Sequence, residues 1–249
     1  MNPSCLELTP DWRVAYAKTE ARGAGRDKPG VIFLGGFRSD MSGTKALALE
    51  DWARETGRAF LRFDYRGHGA SSGVFEDGCI GDWADDAFEA LTRLSAGPQI
   101  LVGSSMGGWI SLLLARRAPE RSAGLGGVAA APDFTTEMAA EINDAARAEM
   151  AATGRWLRPS EYSDDPYPIT ARLIEDGARQ LVLNTPLRLN FPVRLLQGTA
   201  DQDVSVEVAL RLLGHVESPD ARLTLVKGAD HRFSGQAELR LLIEAVEGF

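Results

Sequence analysis

Short apolar runs alternate along the chain with longer segments whose apolar residues recur at helical spacing. The runs, several of them bounded by glycine or proline, are typical of buried strands: VIFLGG (31–36), AFLRFDY (59–65), QILVG (99–103) and GLGGVAAAP (124–132). Helical patterns lie between them, at residues 43–56, which Gly57 ends, and from about Met106 to Ala118, where the pattern is apolar nearly all round. Strands that alternate with helices in this way predict a mostly parallel sheet with helices on both faces.

The clearest helix signal lies at residues 81–98. Asp82 is placed to cap it, Gly97 and Pro98 end it, and an apolar stripe runs along it. The stripe consists of Trp83, Ala87, Leu91 and Leu94. The rest of the chain completes the alternation, with an opening hairpin at 5–20, strands at 193–199 and 222–228, a helix at 205–213 and a last helix from about Ser234.

Between Pro132 and Pro192 the alternation stops. Residues 137–153 carry a weak helical stripe, residues 159–168 are rich in Pro, Tyr and Asp, and residues 170–181 again favour a helix. Connections in α/β units are usually short, and ligands bind at the carboxyl ends of parallel strands. We therefore expect residues 133–191 to form a small helical cap over that edge, inserted into a core made of residues 1–132 and 192–249.

The expected cap is rich in apolar and aromatic side chains. They are Met138, Ile142, Met150, Trp156, Tyr162 and Tyr167. Such residues suit an acyl chain or an aryl group, but they would equally serve to pack the cap onto the core.

Length and charge narrow the class of protein. The 249 residues suit one large α/β domain or two small ones. The net charge of −8 argues against a nucleic acid or an anionic membrane as partner. No apolar run reaches the roughly 18 residues of a membrane span.

Two further features bear on the compartment. Cys5 and Cys79 form neither a disulfide framework nor a zinc spacing, which favours free thiols in a reducing compartment. The first residues, MNPSCLELTPDW, have neither the basic nor the apolar region of a signal peptide. On these grounds we expect a cytoplasmic protein.

The sequence Gly103-Ser104-Ser105-Met106-Gly107 stands between a predicted strand and a predicted helix. A G-x-S-x-G pattern in that context is typical of a nucleophile elbow, in which the serine is strained and the glycines let strand and helix approach. This pattern makes Ser105 the candidate nucleophile, since Ser104 lacks the flanking glycines. The alternative is a tight turn that merely requires glycines.

A serine nucleophile needs a base, and the chain has three histidines, His68, His215 and His231. In this kind of fold the order along the chain is serine, acid, histidine, which excludes His68. His231 follows a predicted strand and so lies at the carboxyl edge of the sheet. His215 precedes its strand and is expected at the opposite edge. We therefore take His231 as the base.

The acid that orients the base has three candidates. Asp201 lies three residues beyond Gly198, at the tip of a predicted strand. Asp203 is better placed to cap the helix that follows, and the side chain of Asp230 diverges from its neighbour His231. Asp201 is the expected acid.

The oxyanion of a tetrahedral intermediate needs backbone donors. We expect them to be the N–H groups of Met106, directly after the nucleophile, and of Phe37, in the loop after VIFLGG. Gly35 and Gly36 allow close approach there, although they also fit a simple tight turn. No metal-ligand cluster and no phosphate-cradling loop is found in the sequence, so we expect neither a metal nor a cofactor.

Several stretches together resemble the α/β-hydrolase superfamily over nearly the whole chain. They are LGGF, FDYRGHGASSG, GSSMGG, GTADQDV and GADHRF. Three longer stretches are similar to the mitochondrial palmitoyl-protein thioesterases that also hydrolyse acyl glucuronides, namely MSGTKALALEDW, RFDYRGHGASSG and GPQILVGSSMGGW. The chain departs from many members of the superfamily at Gly35, where they have histidine, and it shows no transit peptide.

This resemblance implies an α/β-hydrolase fold with Ser105, Asp201 and His231 as a catalytic triad. It also implies hydrolysis of carboxylic esters or thioesters through an acyl-enzyme, with a small molecule or an acylated protein as substrate. A small-molecule carboxylesterase, an acyltransferase or C–C bond hydrolase of the same fold, and a non-catalytic binding module are the alternatives.

Overall fold

The computed structural model describes residues 3–159 and 166–249. Its strands are β1 (Ser4–Thr9), β2 (Trp12–Thr19), β3 (Gly30–Leu34), β4 (Phe60–Phe63), β5 (Gln99–Ser104), β6 (Ser122–Val128), β7 (Arg155–Arg158), β8 (Tyr167–Thr170), β9 (Leu187–Arg188), β10 (Val193–Gly198), β11 (Val216–Glu217) and β12 (Ala221–Val226). Its α-helices are α1 (Thr44–Thr56), α2 (Ile80–Leu94), α3 (Met106–Arg117), α4 (Thr135–Glu141), α5 (Asp144–Thr153), α6 (Ala171–Gly177), α7 (Val206–His215) and α8 (Gln236–Glu247).

Eight strands form the central sheet, in the order β1-β2-β4-β3-β5-β6-β10-β12. β2 runs antiparallel to both β1 and β4, and the strands from β4 to β12 pair in parallel. The predicted opening hairpin and parallel sheet are thus confirmed. β10 and β12 are neighbours, so the loops that leave their carboxyl ends lie side by side.

Both faces of the sheet are covered, as the alternation predicts. Ile32 and Leu34 of β3 belong to one core cluster, together with residues of α2, α3 and α7. Val31 and Phe33 belong to a second cluster on the other face, with residues of α1 and α8. Side chains alternate across a strand, so a strand buried on both faces is a continuous apolar run.

Helix α3 lies in the middle of the first cluster. All its residues from Met106 to Ala115 are buried, which explains the all-round apolar pattern. The indole N–H of Trp109 donates to the Gln180 carbonyl at 3.1 Å, so its one polar atom is paired despite full burial. The helix that follows Ser105 is therefore firmly held.

Residues 133–191 differ from the expected pattern in several places. The stripe predicted over 137–153 is two helices, α4 and α5, because the Asn143 side chain accepts the Ala146 N–H at 2.9 Å and starts a new helix. The helix predicted over 170–181 ends at Gly177 and is followed by tight turns. β7 and β8 form an antiparallel pair that the loop-like composition concealed. Tyr162 lies outside the described residues.

The predicted cap of α2 is also corrected. The helix begins at Ile80, so Asp82 lies within its first turn instead of at its N-cap. There its carboxylate accepts from Arg66 at 3.1 Å and from Arg172 at 2.6 Å. Among the helices in the described ranges, none has the length and apolar character needed to span a membrane.

Candidate active site

Ser105 is the single residue between the end of β5 and the start of α3. Its backbone adopts φ 54° and ψ −120°, a conformation that non-glycine residues rarely occupy. Hydrogen bonds hold this strained geometry: the Ser105 N–H donates to the Val128 carbonyl at 3.0 Å, and the Ser105 carbonyl accepts from Gly108 at 2.9 Å and from Ala131 at 3.1 Å. The hydroxyl is thereby presented at the carboxyl edge of the sheet.

The glycines around Ser105 are required by close backbone approach. A Cβ on Gly103 would lie 2.2 Å from the Gly107 carbonyl oxygen, and a Cβ on Gly107 would lie 2.0 Å from the Leu34 carbonyl oxygen. A Cβ on Gly108 would lie 2.5 Å from the Cβ of Ala130. The strand and the helix therefore meet at backbone contact on both sides of the serine, as in a nucleophile elbow.

Ser105, His231 and Asp201 form one hydrogen-bonded line. The Ser105 hydroxyl lies 3.1 Å from His231 Nε2. His231 Nδ1 lies 3.1 Å and 3.0 Å from the two carboxylate oxygens of Asp201. An ionised carboxylate only accepts, so Nδ1 carries the proton and Nε2 is left to accept the serine O–H. The structure brings together the three residues that the sequence singled out.

Asp201 is held as a carboxylate by a dense set of donors. Its side chain is fully buried and accepts the N–H groups of Asp203 at 2.9 Å and Val204 at 2.8 Å, and Nε2 of Gln197 at 3.0 Å. Burial raises the pKa of Asp201, but the hydrogen bonds from His231 and the two backbone amides outweigh it, so the pKa falls below its ordinary value. Asp201 therefore stays charged beside His231.

Sequence reasoning missed Gln197. It is a buried amide at the end of the apolar strand β10, and its Nε2 also donates to the Val204 carbonyl at 2.8 Å. A polar residue in the buried run VRLLQG was the available signal. Through its hydrogen bonds to Asp201 and Val204, Gln197 holds the turn that carries Asp201 against the end of β10.

The competing acids lie elsewhere in the site. α7 begins at Val206 with Ser205 at its N-cap, so the prediction that Asp203 caps this helix is wrong. What Asp203 contributes to Asp201 is its backbone N–H. Asp230 accepts the Phe233 N–H at 3.1 Å, within its own loop.

The hydrogen-bond partners of His215 and His68 lie outside the Ser105–His231–Asp201 line. His215 ends α7, and its Nε2 lies 2.6 Å from the Thr185 carbonyl oxygen. His68 is buried, with Arg66 and Arg38 as its hydrogen-bond partners.

Two backbone amides beside Ser105 are the candidate donors to an oxyanion. Gly36 lies against the serine, since a Cβ placed on it would be 3.5 Å from the Ser105 Cβ, and Phe37 follows it. Met106 is the first residue of α3, so its N–H has no acceptor within the helix. In residues 3–159 and 166–249, neither the Phe37 nor the Met106 N–H donates to a protein acceptor. Their role as oxyanion donors stays a prediction.

A cavity of about 990 Å³ opens onto Ser105 and His231. Part of its wall is apolar and aromatic, formed by Phe37, Phe134, Met138, Trp156 and Tyr167. Another part is charged, formed by Arg38, Asp40, Lys45, Glu137, Glu141, Arg158, Asp203 and Arg232. Met138, Trp156 and Tyr167 of the expected cap thus line the cavity and also pack against the core. Ile142 and Met150 are not part of its wall.

Lys45 is the most perturbed base in this wall. Its ammonium group donates to the Arg232 carbonyl, one residue from His231. Burial lowers the pKa of Lys45 to about 8, although the charge of Asp230 opposes this shift. The ammonium therefore loses its proton closer to neutral pH than an exposed lysine does.

Asp201, Asp203 and His231 have potential ligand atoms within 4.8 Å of one another, which is the spacing of a metal site. However, Asp201 and His231 Nδ1 are already bonded to each other, and Asp201 accepts two backbone amides and a side-chain amide. A cation would have to displace these bonds. The donor arrangement suits transfer of a proton from Ser105 to His231 better than it suits a metal.

Comparison with known proteins gives concordant results. Residues 31–241 match the alpha/beta hydrolase family. The mitochondrial palmitoyl-protein thioesterase ABHD10 of Homo sapiens is 35% identical over 254 residues, which cover 98% of this chain and 81% of the human protein. The structure of mouse alpha/beta hydrolase domain-containing protein 10 superposes with a TM-score of 0.89 at 34% identity, covering 100% of this chain and 98% of the mouse chain. A putative hydrolase from Agrobacterium vitis S4 gives 0.92 at 38% identity, with 99% and 97% covered.

The relatives also correct the expected location. The relatives from Pongo abelii, Homo sapiens and Rattus norvegicus are named as mitochondrial proteins, so the expectation of a cytoplasmic protein is wrong. The expectation rested on two unpaired cysteines and on the absence of a signal peptide in the first residues, and neither observation specifies a compartment.

Proposed function

This chain belongs to the alpha/beta hydrolase family, and we propose that Ser105 is its nucleophile, His231 its general base and acid, and Asp201 the group that orients His231. The protein is a serine hydrolase that acts on esters or thioesters. The observation that carries the proposal is the continuous hydrogen-bonded line from Ser105 through His231 to Asp201, at the wall of a cavity.

The reaction proceeds in two halves on these residues. Ser105 Oγ attacks the acyl carbonyl carbon while His231 Nε2 takes the hydroxyl proton, and the N–H groups of Phe37 and Met106 bind the oxyanion. The carbon–oxygen or carbon–sulfur bond then breaks, and the leaving group takes the proton from His231. Water repeats the sequence on the acyl-enzyme, giving up its proton to His231 and releasing the carboxylic acid and free Ser105.

The acyl group occupies the apolar part of the cavity. This part is made by Phe37 of the core and by residues of the segment 133–191, which we propose acts as a cap. Burying a methylene group is worth about 0.8 kcal/mol, so two further carbons held there raise kcat/KM by about tenfold. A palmitoyl-type thioester therefore suits the site, and this preference is shared with relatives whose names state that they are palmitoyl-protein thioesterases.

A small-molecule carboxylesterase is the second candidate. Lys45 and Arg232 lie on the His231 side of the cavity, where the leaving group is protonated. Charged groups there favour a polar leaving group, which a small ester supplies as well as a protein cysteine does. The length of the acyl chain distinguishes the two candidates.

The deciding experiment compares kcat/KM for acyl thioesters and matched aryl esters from acetyl to palmitoyl, with Ser105→Ala as the blank. A rise with chain length, steeper for thioesters, supports the depalmitoylase-like function. Activity limited to short aryl esters assigns a small-molecule esterase. Full turnover by Ser105→Ala contradicts the proposed nucleophile.

A further inference from the structure

The loop that carries Phe37 rests on a buried histidine which the proposed reaction does not use. His68, in the loop after β4, is 3% exposed. Its Nδ1 lies 3.1 Å from the Arg66 carbonyl oxygen, and its Nε2 lies 3.3 Å from the backbone N of Arg38. The imidazole therefore joins two loops whose contacting residues are 30 positions apart along the chain.

The partners of His68 determine its tautomer. A carbonyl oxygen only accepts, so the proton must be on Nδ1, and Nε2 must then accept the Arg38 N–H. The ring contacts Tyr65, Phe75 and Trp83 edge to face. Burial among these rings lowers the pKa of His68 to about 4, and the charge of Arg38 adds to this effect, while the bond to Arg66 opposes it. The ring is thus neutral at physiological pH and keeps its acceptor.

The N–H that His68 accepts belongs to a strained turn. The Gly36 carbonyl accepts the Ser39 N–H at 3.2 Å and the Ser39 hydroxyl at 2.7 Å, which makes Phe37 and Arg38 the central residues. Arg38 has φ 55° whereas φ of Phe37 is negative, as in a type II turn. Glycine or asparagine is the usual residue at the Arg38 position, because other side chains disfavour this conformation.

An acceptor for the Arg38 N–H compensates for this strain. In a type I turn the peptide between the two central residues is rotated by about half a turn, so its N–H points the opposite way. Nε2 of His68 can therefore accept the Arg38 N–H only in the observed orientation of the Phe37–Arg38 peptide, and this bond stabilises that orientation. The preceding peptide, which carries the Phe37 N–H, is oriented by Ser39.

We propose that His68 is a positioning residue for hydrolysis: it fixes the peptide that follows Phe37, as the Ser39 bonds to the Gly36 carbonyl fix the peptide that precedes it, and both are needed to keep Phe37 in the position from which its N–H is directed at the oxyanion. The proposal rests on the proposed function, since it assumes that Phe37 is a donor. The loop has further supports that do not depend on His68: the Tyr65 hydroxyl donates to the Gly35 carbonyl, and Asp64 accepts the Met41 N–H. Loss of the His68 bond should therefore misalign the donor without unfolding the loop.

The test compares His68→Phe, which keeps an aromatic ring but has no acceptor, with His68→Gln, whose amide oxygen restores one. We expect kcat for His68→Phe to fall about 10- to 100-fold with KM changed less than about threefold, since losing an oxyanion donor altogether costs about 10²- to 10³-fold. His68→Gln should recover most of kcat. Leu242→Ala, in the core on the opposite face of the sheet, is the control for loss of stability alone.

Two kinds of failure are distinguishable. If the wild-type protein hydrolyses no ester or thioester, the proposed function fails. If the wild-type protein is active and Ser105→Ala is inactive, yet His68→Phe keeps kcat within about threefold or falls no further than Leu242→Ala, the role of His68 is refuted. Equal losses in His68→Phe and His68→Gln refute it as well.

A measurement on the unmodified sequence covers the case in which His68→Phe does not fold. The chain has three histidines, so ¹⁵N-histidine labelling gives a spectrum in which each ring can be assigned. We expect His68 to be neutral at pH 7 with its proton on Nδ1. A proton on Nε2 would remove the acceptor for Arg38 and overturn the proposal.

Discussion

Replacing Asp201 with asparagine tests the proposed triad while keeping the shape of the side chain. One carboxylate oxygen, Oδ1, accepts the backbone N–H groups of Asp203 and Val204 at 2.9 and 2.8 Å. The amide oxygen of asparagine must take that position, because it is the only acceptor left. The NH₂ group then replaces Oδ2, where it faces two donors, Nε2 of Gln197 at 3.0 Å and Nδ1 of His231 at 3.0 Å.

The histidine ring relieves this conflict by moving its proton. With Nδ1 unprotonated it accepts from the asparagine NH₂, but Nε2 then carries the proton and cannot take one from Ser105. Loss of the correct tautomer in such an arrangement costs about 10³- to 10⁴-fold in kcat, which is about 4 to 5.5 kcal/mol at 1.36 kcal/mol for each factor of ten. KM should change little, because Asp201 does not line the cavity.

The assay is steady-state hydrolysis of a short acyl thioester at pH 7 to 8, with folding checked by circular dichroism. Asp203→Asn is the matched control, since it removes the same charge two residues away and leaves the backbone N–H to Asp201 in place. We expect that control to lose less than about tenfold. If Asp203→Asn loses 10³-fold and Asp201→Asn does not, Asp203 is the acid. Small losses in both variants refute the triad.

Three further predictions concern Gly107, Lys45 and the pH dependence of the stability that Asp201 contributes. Gly107→Ala places a Cβ 2.0 Å from the Leu34 carbonyl oxygen, so the free energy of unfolding in urea should fall by about 2 to 4 kcal/mol, and an unchanged midpoint would contradict the close contact. Lys45→Met removes an ammonium group whose pKa is lowered to about 8 by burial. The free energy of unfolding of the variant at pH 7 should exceed that of the wild type by up to about 3 kcal/mol. This difference should shrink between pH 8 and 10.5, where the unfolded lysine also loses its proton. Because the pKa of Asp201 is lowered in the folded state, its hydrogen bonds stabilise the fold above pH about 4 and cease to do so as the pH falls through the pKa of the folded state. The denaturation curves of the wild type and of Asp201→Asn should therefore converge below pH about 4. Curves that stay parallel from pH 6 to 3 would contradict this expectation.

The elbow could be predicted because its pattern is local. Ser105, its flanking glycines, the strand before it and the helix after it are contiguous, so periodicity and turn chemistry meet in one short window. His231 and Asp201 were found by a topological argument: each follows a strand, and parallel strands bring the loops at their carboxyl ends to one edge. Their adjacency in space then follows from β10 and β12 being neighbours.

What the sequence did not reveal depends on contacts between distant residues. β7 and β8 form a two-stranded sheet separate from the central one, and neither strand carries a periodic pattern in the sequence. His68 acquires its partner from Arg38, 30 residues earlier, so its position in RGHG gave no hint of a role in the loop after β3. Gln197 was recognisable in principle, because its partners Asp201 and Val204 are near in sequence and a polar residue in a buried strand needs them.

Labelling with a fluorophosphonate, followed by peptide mapping, tests the central claim most directly, because only an activated serine attacks this reagent. We expect one label per chain, on Ser105 and not on the adjacent Ser104, and none in Ser105→Ala. Absence of label on the folded wild-type protein, or a label that persists in Ser105→Ala, would contradict the assignment of Ser105 as the nucleophile of this hydrolase.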